Sequence, residues 1–291
     1  MKKLVVTILT LLTCGAAYAL PVGNPGEASL FLNGAWCDNN GCDPCDPCFS
    51  WCDAWNFRIG YYGDFVFNRH LQVDLGDDDN HGRDIDKTEI HTNAGYLALN
   101  ICDRVDVFGT LGATTIRIRT DAVSWGLIGG FESDLAFRSE FSWSVGGRAS
   151  LWQCDCLLIG LEGQYFQSRP EFDNFLHLDT GRIAYFNDDN GVRYSEWQVG
   201  LGAAYRFATS CPSIAMVPYI AVKWAGSKFK LNNFTYTDLD GTVFTFPKLE
   251  AKKLWGYAVG MSLTLCDAIG VTVEGRWGDE KAVYVNGQLR F

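Results

Sequence analysis

Beyond residue 55 the chain alternates apolar and polar side chains with a period of two, the pattern of strands set between two different surroundings. Residues 192–207 show it plainly. Trp197, Val199, Leu201, Ala203, Tyr205 and Phe207 fall on one face, and Glu196, Gln198, Gly200, Gly202 and Arg206 on the other. The same split sets Phe57, Ile59, Tyr61, Phe65 and Phe67 against Arg58, Asp64 and Asn68. It sets Phe141, Trp143, Val145, Ala149 and Leu151 against Glu140, Ser142, Ser144 and Arg148, and Leu157, Ile159, Leu161 and Tyr165 against Glu162 and Gln164. Trp255, Tyr257, Val259, Met261 and Leu263 oppose glycines, Ser262 and Thr264, while Val271, Val273 and Trp277 oppose Thr272, Glu274 and Arg276. The chain closes with Val283, Val285, Leu289 and Phe291 against Tyr284, Asn286, Gln288 and Arg290. Segments 88–101, 105–119 and 216–230 are less regular, and the middle one changes phase near Thr114, which predicts a β-bulge there.

A soluble sandwich also alternates. Two features favour a membrane barrel. Aromatics gather near the ends of the apolar faces, as an interfacial girdle does, and ionisable residues run along the whole of the opposite faces. The connections moreover alternate strictly between short ones, at 102–104, 153–156, 208–213 and 266–268, and long ones, at 69–87, 120–136, 168–191 and 231–250. In outer-membrane barrels short turns are periplasmic and long loops external. The expected fold is an all-β transmembrane antiparallel barrel of about ten strands, within a range of about ten to sixteen, with both chain ends in the periplasm. The upper figure applies if two candidate hairpins span the membrane: Phe234 to Phe246, turning at Leu239-Asp240-Gly241-Thr242, and Phe175 to Phe186, turning at Thr180-Gly181. The candidate pore lining is Arg58, Asp64, Glu140, Arg148, Glu162, Glu196, Arg206, Glu274, Arg276 and Arg290. These charges nearly balance, and opposed acidic and basic rows orient polar solutes and hydrated ions, which predicts weak ion selectivity.

The first residues add the compartment. Lys2 and Lys3 precede a short apolar run from Leu4 to Leu12, and Ala17-Tyr18-Ala19 is an A-x-A cleavage site, so residues 1–19 read as a secretory signal peptide. Thr13 before Cys14 fits a lipobox poorly. No other run reaches the ~18 apolar residues of a spanning helix. The expected organisation is then signal peptide 1–19, a cysteine-rich periplasmic segment 20–55 that has the option of folding into the lumen, and an outer-membrane barrel 56–291. The 291 residues carry 34 acidic and 24 basic side chains, a net charge of −10, without the basic stripe that nucleic acid requires.

Cleavage after Ala19 removes one of the 11 cysteines, and an exported chain meets oxidising conditions, so disulfides are the default reading of the rest. Cys42, Cys45, Cys48 and Cys52 form a C-x2-C-x2-C-x3-C run with ferredoxin-like spacing. There is no second run, Asp53 stands where proline is expected, and nearby carboxylates oppose gathering thiolates, so neither an iron–sulfur cluster nor zinc is expected. The Asp43-Pro44 and Asp46-Pro47 pairs stiffen the backbone and hold neighbouring sulfurs apart. Cys102, Cys154, Cys156, Cys211 and Cys266 all fall in turns read as periplasmic, which with Cys37 puts every mature cysteine on one side. Cross-links to other chains are favoured over intrachain pairs bracing the rim, and mixtures remain open.

These residues resemble a family. Leu20-Pro21-Val22-Gly23-Asn24-Pro25, Asp43-Pro44-Cys45-Asp46-Pro47-Cys48, Trp51-Cys52-Asp53-Ala54 and Gly60-Tyr61-Tyr62-Gly63-Asp64-Phe65-Val66-Phe67 are similar to the start of the chlamydial major outer membrane protein. Asn100-Ile101-Cys102-Asp103-Arg104 and the close at residues 287–291 fit the same family, and Phe291, ending an alternating strand, resembles the C-terminal signal by which bacterial outer-membrane barrels are recognised for assembly. The resemblance implies an outer-membrane porin, often trimeric, that passes small polar solutes and joins cysteine-rich envelope proteins in a disulfide-linked complex. This chain is markedly shorter than the family, with the missing length expected in the external loops. A mainly structural scaffold with a narrow or plugged barrel, and a surface adhesin acting through its loops, are the alternatives. No enzymatic activity and no cofactor are expected. Asp77-Asp78-Asp79-Asn80-His81-Gly82 mimics a calcium loop, but its twelfth position is Thr88 rather than Glu. His70, His81, His91 and His177 lack ligand spacing; His81 and His177 have aspartates near them, as acidic loops commonly do.

Overall fold

The structure is a computed structural model that describes residues 20–30, 55–74, 84–121, 132–154, 156–178, 182–185, 191–208, 214–231, 235–237, 243–266 and 268–291. In chain order the strands are β1 (Trp55–Arg69), β2 (Leu71–Val73), β3 (Lys87–Ile101), β4 (Val105–Asp121), β5 (Glu132–Phe137) and β6 (Glu140–Cys154). Next come β7 (Leu157–Ser168), β8 (Phe172–His177), β9 (Arg182–Tyr185), β10 (Arg193–Tyr205), β11 (Phe207–Ala208) and β12 (Ile214–Lys230). The last are β13 (Thr235–Thr237), β14 (Val243–Thr245), β15 (Leu249–Ala251), β16 (Trp255–Leu265), β17 (Ile269–Trp277) and β18 (Glu280–Arg290).

Ten of these close an antiparallel ring in the order β1, β3, β4, β6, β7, β10, β12, β16, β17, β18, with β18 returning to β1 through pairs such as Tyr61 with Gly287. Closure leaves no unpaired edge in the hydrocarbon, where an unsatisfied backbone N–H or C=O costs several kcal/mol. The outward face is the apolar one the alternation foretold. Leu97, Leu111, Val145, Leu201, Val259 and Val273 stand exposed at mid-strand, flanked by an aromatic row toward the external side. In that row Trp197 meets Trp224 edge-on at 5.0 Å and Trp224 stacks on Trp255 at 6.3 Å, the arrangement of an interfacial girdle.

Several expectations are corrected. The two hairpins form but do not enter the ring: β8 and β9 hang on β5, which pairs with the outer end of β4 on the external side, and β13 pairs, among the described residues, only with β14. The connections do not alternate strictly, because β17 and β18 are joined on the external side by the two residues Gly278 and Asp279. Gly278 has φ of +108°, a backbone closed to other residues, which permits so tight a turn. β4 has no bulge at Thr114: its even-numbered residues from Asp106 to Thr120 face inward throughout and its register is unbroken. Its 17 residues exceed the ~9–11 that a tilted strand needs to cross a bilayer. The outer half stands clear of lipid, so polarity inverts there and Ile116 and Ile118 turn inward while Arg117 and Arg119 face out. A genuine register shift lies in β1 between Val66 and Asn68, and it brings Arg69 inward in place of Asn68. The strand expected over 192–207 is interrupted at Arg206, whose N–H donates to the Cys156 carbonyl at 2.8 Å.

Candidate functional site in the barrel lumen

Alternation along the ring strands sends a set of charged side chains inward. Arg58, Asp64, Arg148, Glu162, Glu196, Glu274, Arg276 and Arg290 all lie there, each no more than 5% exposed. They pair along the lumenal wall with one another and with further carboxylates. Arg148 and Glu162 face each other in the β6–β7 register with Nη2 to Oε2 at 2.6 Å, and Arg276 pairs with Asp64 of β1. Arg58 pairs with Asp106 of β4, and Arg290 reaches Asp103, in the β3–β4 turn, at 2.9 Å. Burial pushes the Asp103 carboxyl above its usual range against the pull of Arg290. Burial likewise raises Asp279, in the external turn, well above an ordinary carboxylate. The other two expected lining residues sit at the ends: Glu140 is half-buried at the external start of β6, and Arg206 is half-buried at the periplasmic rim.

Between these charges runs residues 20–30, inside the barrel. The segment was expected either to lie in the periplasm or to enter the lumen, and its described part enters. It makes one short 3-10 turn, Glu27–Ser29, so its backbone groups must be satisfied by the wall. The Leu20 N–H donates to Glu196 Oε1 at 2.7 Å near the external end of β10. Val22 and Gly23 donate to the two oxygens of Glu274 at 3.1 and 2.8 Å. Carbonyls of Leu20 and Pro21 accept from Lys223 Nζ at 3.0 Å and Gln198 Nε2 at 2.8 Å. Nearer the periplasm Asn24 donates to Ser262 at 3.0 Å, Glu27 takes Arg148 at 2.7 Å and Arg58 at 3.4 Å, and Ser29 donates to the Asp103 carbonyl at 2.8 Å. The chain thus threads the lumen from the periplasmic turns to the external third. Two inward glycines make room for it: a Cβ on Gly200 would come 2.7 Å from Val22 Cγ1, and one on Gly160 would overlap the Pro25 carbonyl oxygen.

Above Leu20 the external mouth is covered by an apolar cluster. Leu71 and Val73 of β2, Leu135 and Phe137 of β5, Phe172 and Phe175 of β8, Phe229 of β12 and Leu249 of β15 pack together there with Leu20 itself. Phe229 meets Phe137 at 5.2 Å and Tyr194 at 5.9 Å. β15 bridges β12 and β2, which ties the cap to the barrel wall.

Of the ten cysteines that follow Ala19, Cys102, Cys154, Cys156 and Cys266 are described; all four sit at the rim opposite the cap, in or beside the short turns, and none is bonded to another described cysteine. Cys102, Asp103 and Cys266 hold positive φ near +50°, the left-handed conformation of tight turns. Cys37, Cys42, Cys45, Cys48, Cys52 and Cys211 lie outside the described residues, as do His81 and the acidic run at 77–79. His91 faces Phe65 and Phe67 on the outer surface. No group of three His, Cys, Asp or Glu side chains able to hold a metal occurs among the described residues. Phe291 directly follows β18, with its N–H donating to the Phe57 carbonyl at 2.8 Å and its side chain exposed.

Sequence reasoning missed Arg69, Asp106, Lys223, Glu280 and Glu27 as lumenal charges. Lys223 carried a usable signal: it is one lysine flanked by Val222 and Trp224, so in a lipid-facing strand it must point in. Arg69 carried none, because the β1 register shift precedes it.

A sequence profile of the family described as Chlamydia major outer membrane protein matches residues 1–80, 75–140 and 133–180. Full-length relatives include the major outer membrane porin of Chlamydia trachomatis serovar L1, 32% identical over 399 aligned positions with 100% of each chain covered. The major outer membrane porin of Chlamydia muridarum is 30% identical over 410 positions with the same coverage. Both alignments are over a hundred positions longer than this chain of 291, so the relatives carry extra length. Among solved structures the outer membrane protease OmpT from Escherichia coli superposes with a TM-score of 0.39 and 13% identity, over 84% of this chain and 97% of that one.

Proposed function

From the premise that this chain belongs to the Chlamydia major outer membrane protein family and is a multi-pass barrel of the bacterial outer membrane, we propose that it is a porin whose resting lumen is occupied by its own N-terminal segment. The observation that carries this reading is the row of wall-to-segment contacts from Leu20–Glu196 to Ser29–Asp103. A ten-stranded ring encloses little free space once side chains fill it, and here the inward charges are spent on one another and on residues 20–30. Small polar solutes and ions pass when the segment leaves; at rest the barrel is a sealed structural element of the envelope. Export uses a signal peptide that ends at Ala19.

The rim cysteines support a structural role beside conduction. Cys154 and Cys266 are exposed, and Cys102 and Cys156 half-exposed, on the periplasmic side where partner thiols are reachable. We infer that they and the six other mature cysteines link the barrel to cysteine-rich envelope partners.

Single-channel recording in planar bilayers tests the first part. The mature protein is expected to show rare or small openings, and a version lacking residues 20–30 a steady, larger conductance with weak ion selectivity. Equal conductance from both overturns the plugged reading. Non-reducing gels of oxidised envelopes test the second part, and a monomer band without reductant overturns it.

A further inference from the structure

The end of the N-terminal segment sits on a built site. Glu196 Oε1 takes the Leu20 nitrogen at 2.7 Å and Arg69 Nη2 at 3.5 Å, while Tyr194 donates its hydroxyl to Oε2. Glu196 is 5% exposed, Tyr194 1% and Leu20 5%. The connected ion pairs around it are acidic. Arg69, Lys223 and Arg276 face Asp64, Glu196, Glu274 and Glu280, so among the described residues three cations serve four carboxylates, and Arg69 also meets Asp279, whose pKa burial raises. A buried carboxylate surplus is costly unless a further cation joins it.

We propose that Glu196, with Tyr194 and Arg69 behind it, is a binding site for a protonated α-amine, filled by the chain's own N-terminus once Leu20 is freed by cleavage after Ala19. The proposal rests on the plugged-lumen and signal-peptide readings above and adds the ligand and its charge. Cleavage is a hydrolysis. Water gives its oxygen to the Ala19 carbonyl carbon, the peptide C–N bond breaks, and the Leu20 nitrogen takes a proton. At neutral pH the new carboxyl loses its proton and the amine takes up another, so Ala19 leaves as a carboxylate and Leu20 becomes an ammonium. Before the cut the Leu20 nitrogen offers Glu196 one neutral N–H; afterwards it offers a charge and three N–H donors. A charge-assisted bond to a buried carboxylate is roughly twice as strong as a neutral one. Processing therefore converts a weak contact into the anchor of the plug. A barrel still carrying residues 1–19 lacks that anchor, so sealing is coupled to maturation.

The test is amine labelling of the mature protein folded in its membrane. Reductive methylation with formaldehyde, read by mass spectrometry of the N-terminal peptide, gives the labelling rate of the Leu20 amine. A cysteine placed by Ala28→Cys and probed with a maleimide reports whether the segment is in the lumen. In the folded wild type the amine is expected to label at least about tenfold more slowly than in the denatured chain. Glu196→Gln should erase most of that protection while residue 28 stays shielded. Glu196→Asp keeps the charge and should retain partial protection; it serves where the glutamine variant fails the heat-modifiability check for a folded barrel. An amine that labels at the denatured rate while residue 28 is shielded overturns the proposal and leaves the plug standing. Both sites labelling freely overturns the proposal and the plug together. A mature N-terminus other than Leu20 overturns the cleavage on which the site depends, and unchanged protection in Glu196→Gln removes Glu196 as the ligand.

Discussion

Arg148 Nη1 lies 2.7 Å from Glu27 Oε2 while its Nη2 lies 2.6 Å from Glu162 Oε2, so one guanidinium ties the N-terminal segment to the barrel wall. All three side chains are at most 3% exposed. Removing one member of a buried pair costs about 3–5 kcal/mol because the other charge stays behind unpaired. Arg148→Ala strands Glu162 and leaves Glu27 only its longer contact with Arg58, and it should lower the unfolding midpoint of the barrel by more than Glu27→Gln, which leaves Arg148 with Glu162. Glu27→Gln should instead act on the plug and raise the open fraction in bilayers. Denaturant titration in lipid vesicles beside single-channel recording separates the two, and equal loss of stability in both variants would contradict the asymmetry.

Gly200 offers a steric route to the same opening. Its Cβ position is 2.7 Å from Val22 Cγ1, so Gly200→Leu leaves no room for the segment although the strand itself tolerates leucine. The expected product is a folded barrel with the conductance of the version lacking residues 20–30. Added trypsin should also find no change in the barrel core, which distinguishes release of the plug from unfolding. Wild-type conductance in a folded Gly200→Leu protein would show that the segment does not pass this point.

The external cap packs as one apolar cluster on the outer ends of the ring strands. Phe229 is fully buried between Phe137 and Tyr194, and a Phe→Ala change in such a place costs about 3–5 kcal/mol. That loss should fall on the cap rather than on the ring, because the ring strands keep their ladders. Phe229→Ala is therefore expected to expose the external loops to protease on whole cells while leaving heat-modifiable mobility on gels intact. Collapse of the barrel in this variant would mean that the cap and ring fold as one unit.

What the sequence made legible follows from one physical fact, that a strand's side chains repeat every two residues. Leu201 against Gly202, or Val273 against Glu274, announced the lipid and lumen faces without help. The pattern failed where its two solvents no longer applied. Ile116 and Ile118 point inward because the outer half of β4 leaves the bilayer and packs under the cap, an inversion that resembles a bulge when only the alternation is seen. The register shift before Asn68 hid Arg69 in the same way. The plug was harder still: Leu20 to Leu30 has no period, since its backbone is satisfied by Glu196, Glu274 and Gln198 rather than by a neighbouring strand. Its trace in the barrel strands was the set of inward glycines at Gly160, Gly200 and Gly202, which leave room for the backbone and the side chains of the segment.

Val222 and Lys223 show how much a single register step decides. Val222 faces lipid at the middle of β12, and Lys223, 1% exposed, faces the lumen with its Nζ 3.2 Å from Glu280 and 3.0 Å from the Leu20 carbonyl. A lysine on the lipid face at mid-bilayer costs about 2–4 kcal/mol, so Val222→Lys should destabilise the barrel by that amount in reversible unfolding from vesicles. Lys223→Met removes one of three cations that Glu280 touches, Arg69 and Arg276 remaining, and is expected to cost less to the barrel while loosening Leu20. The two substitutions, one position apart, should thus separate stability from channel closure. If Lys223→Met proved the more destabilising for the ring, the ammonium would be a structural keystone of the wall rather than a tether for the segment inside it.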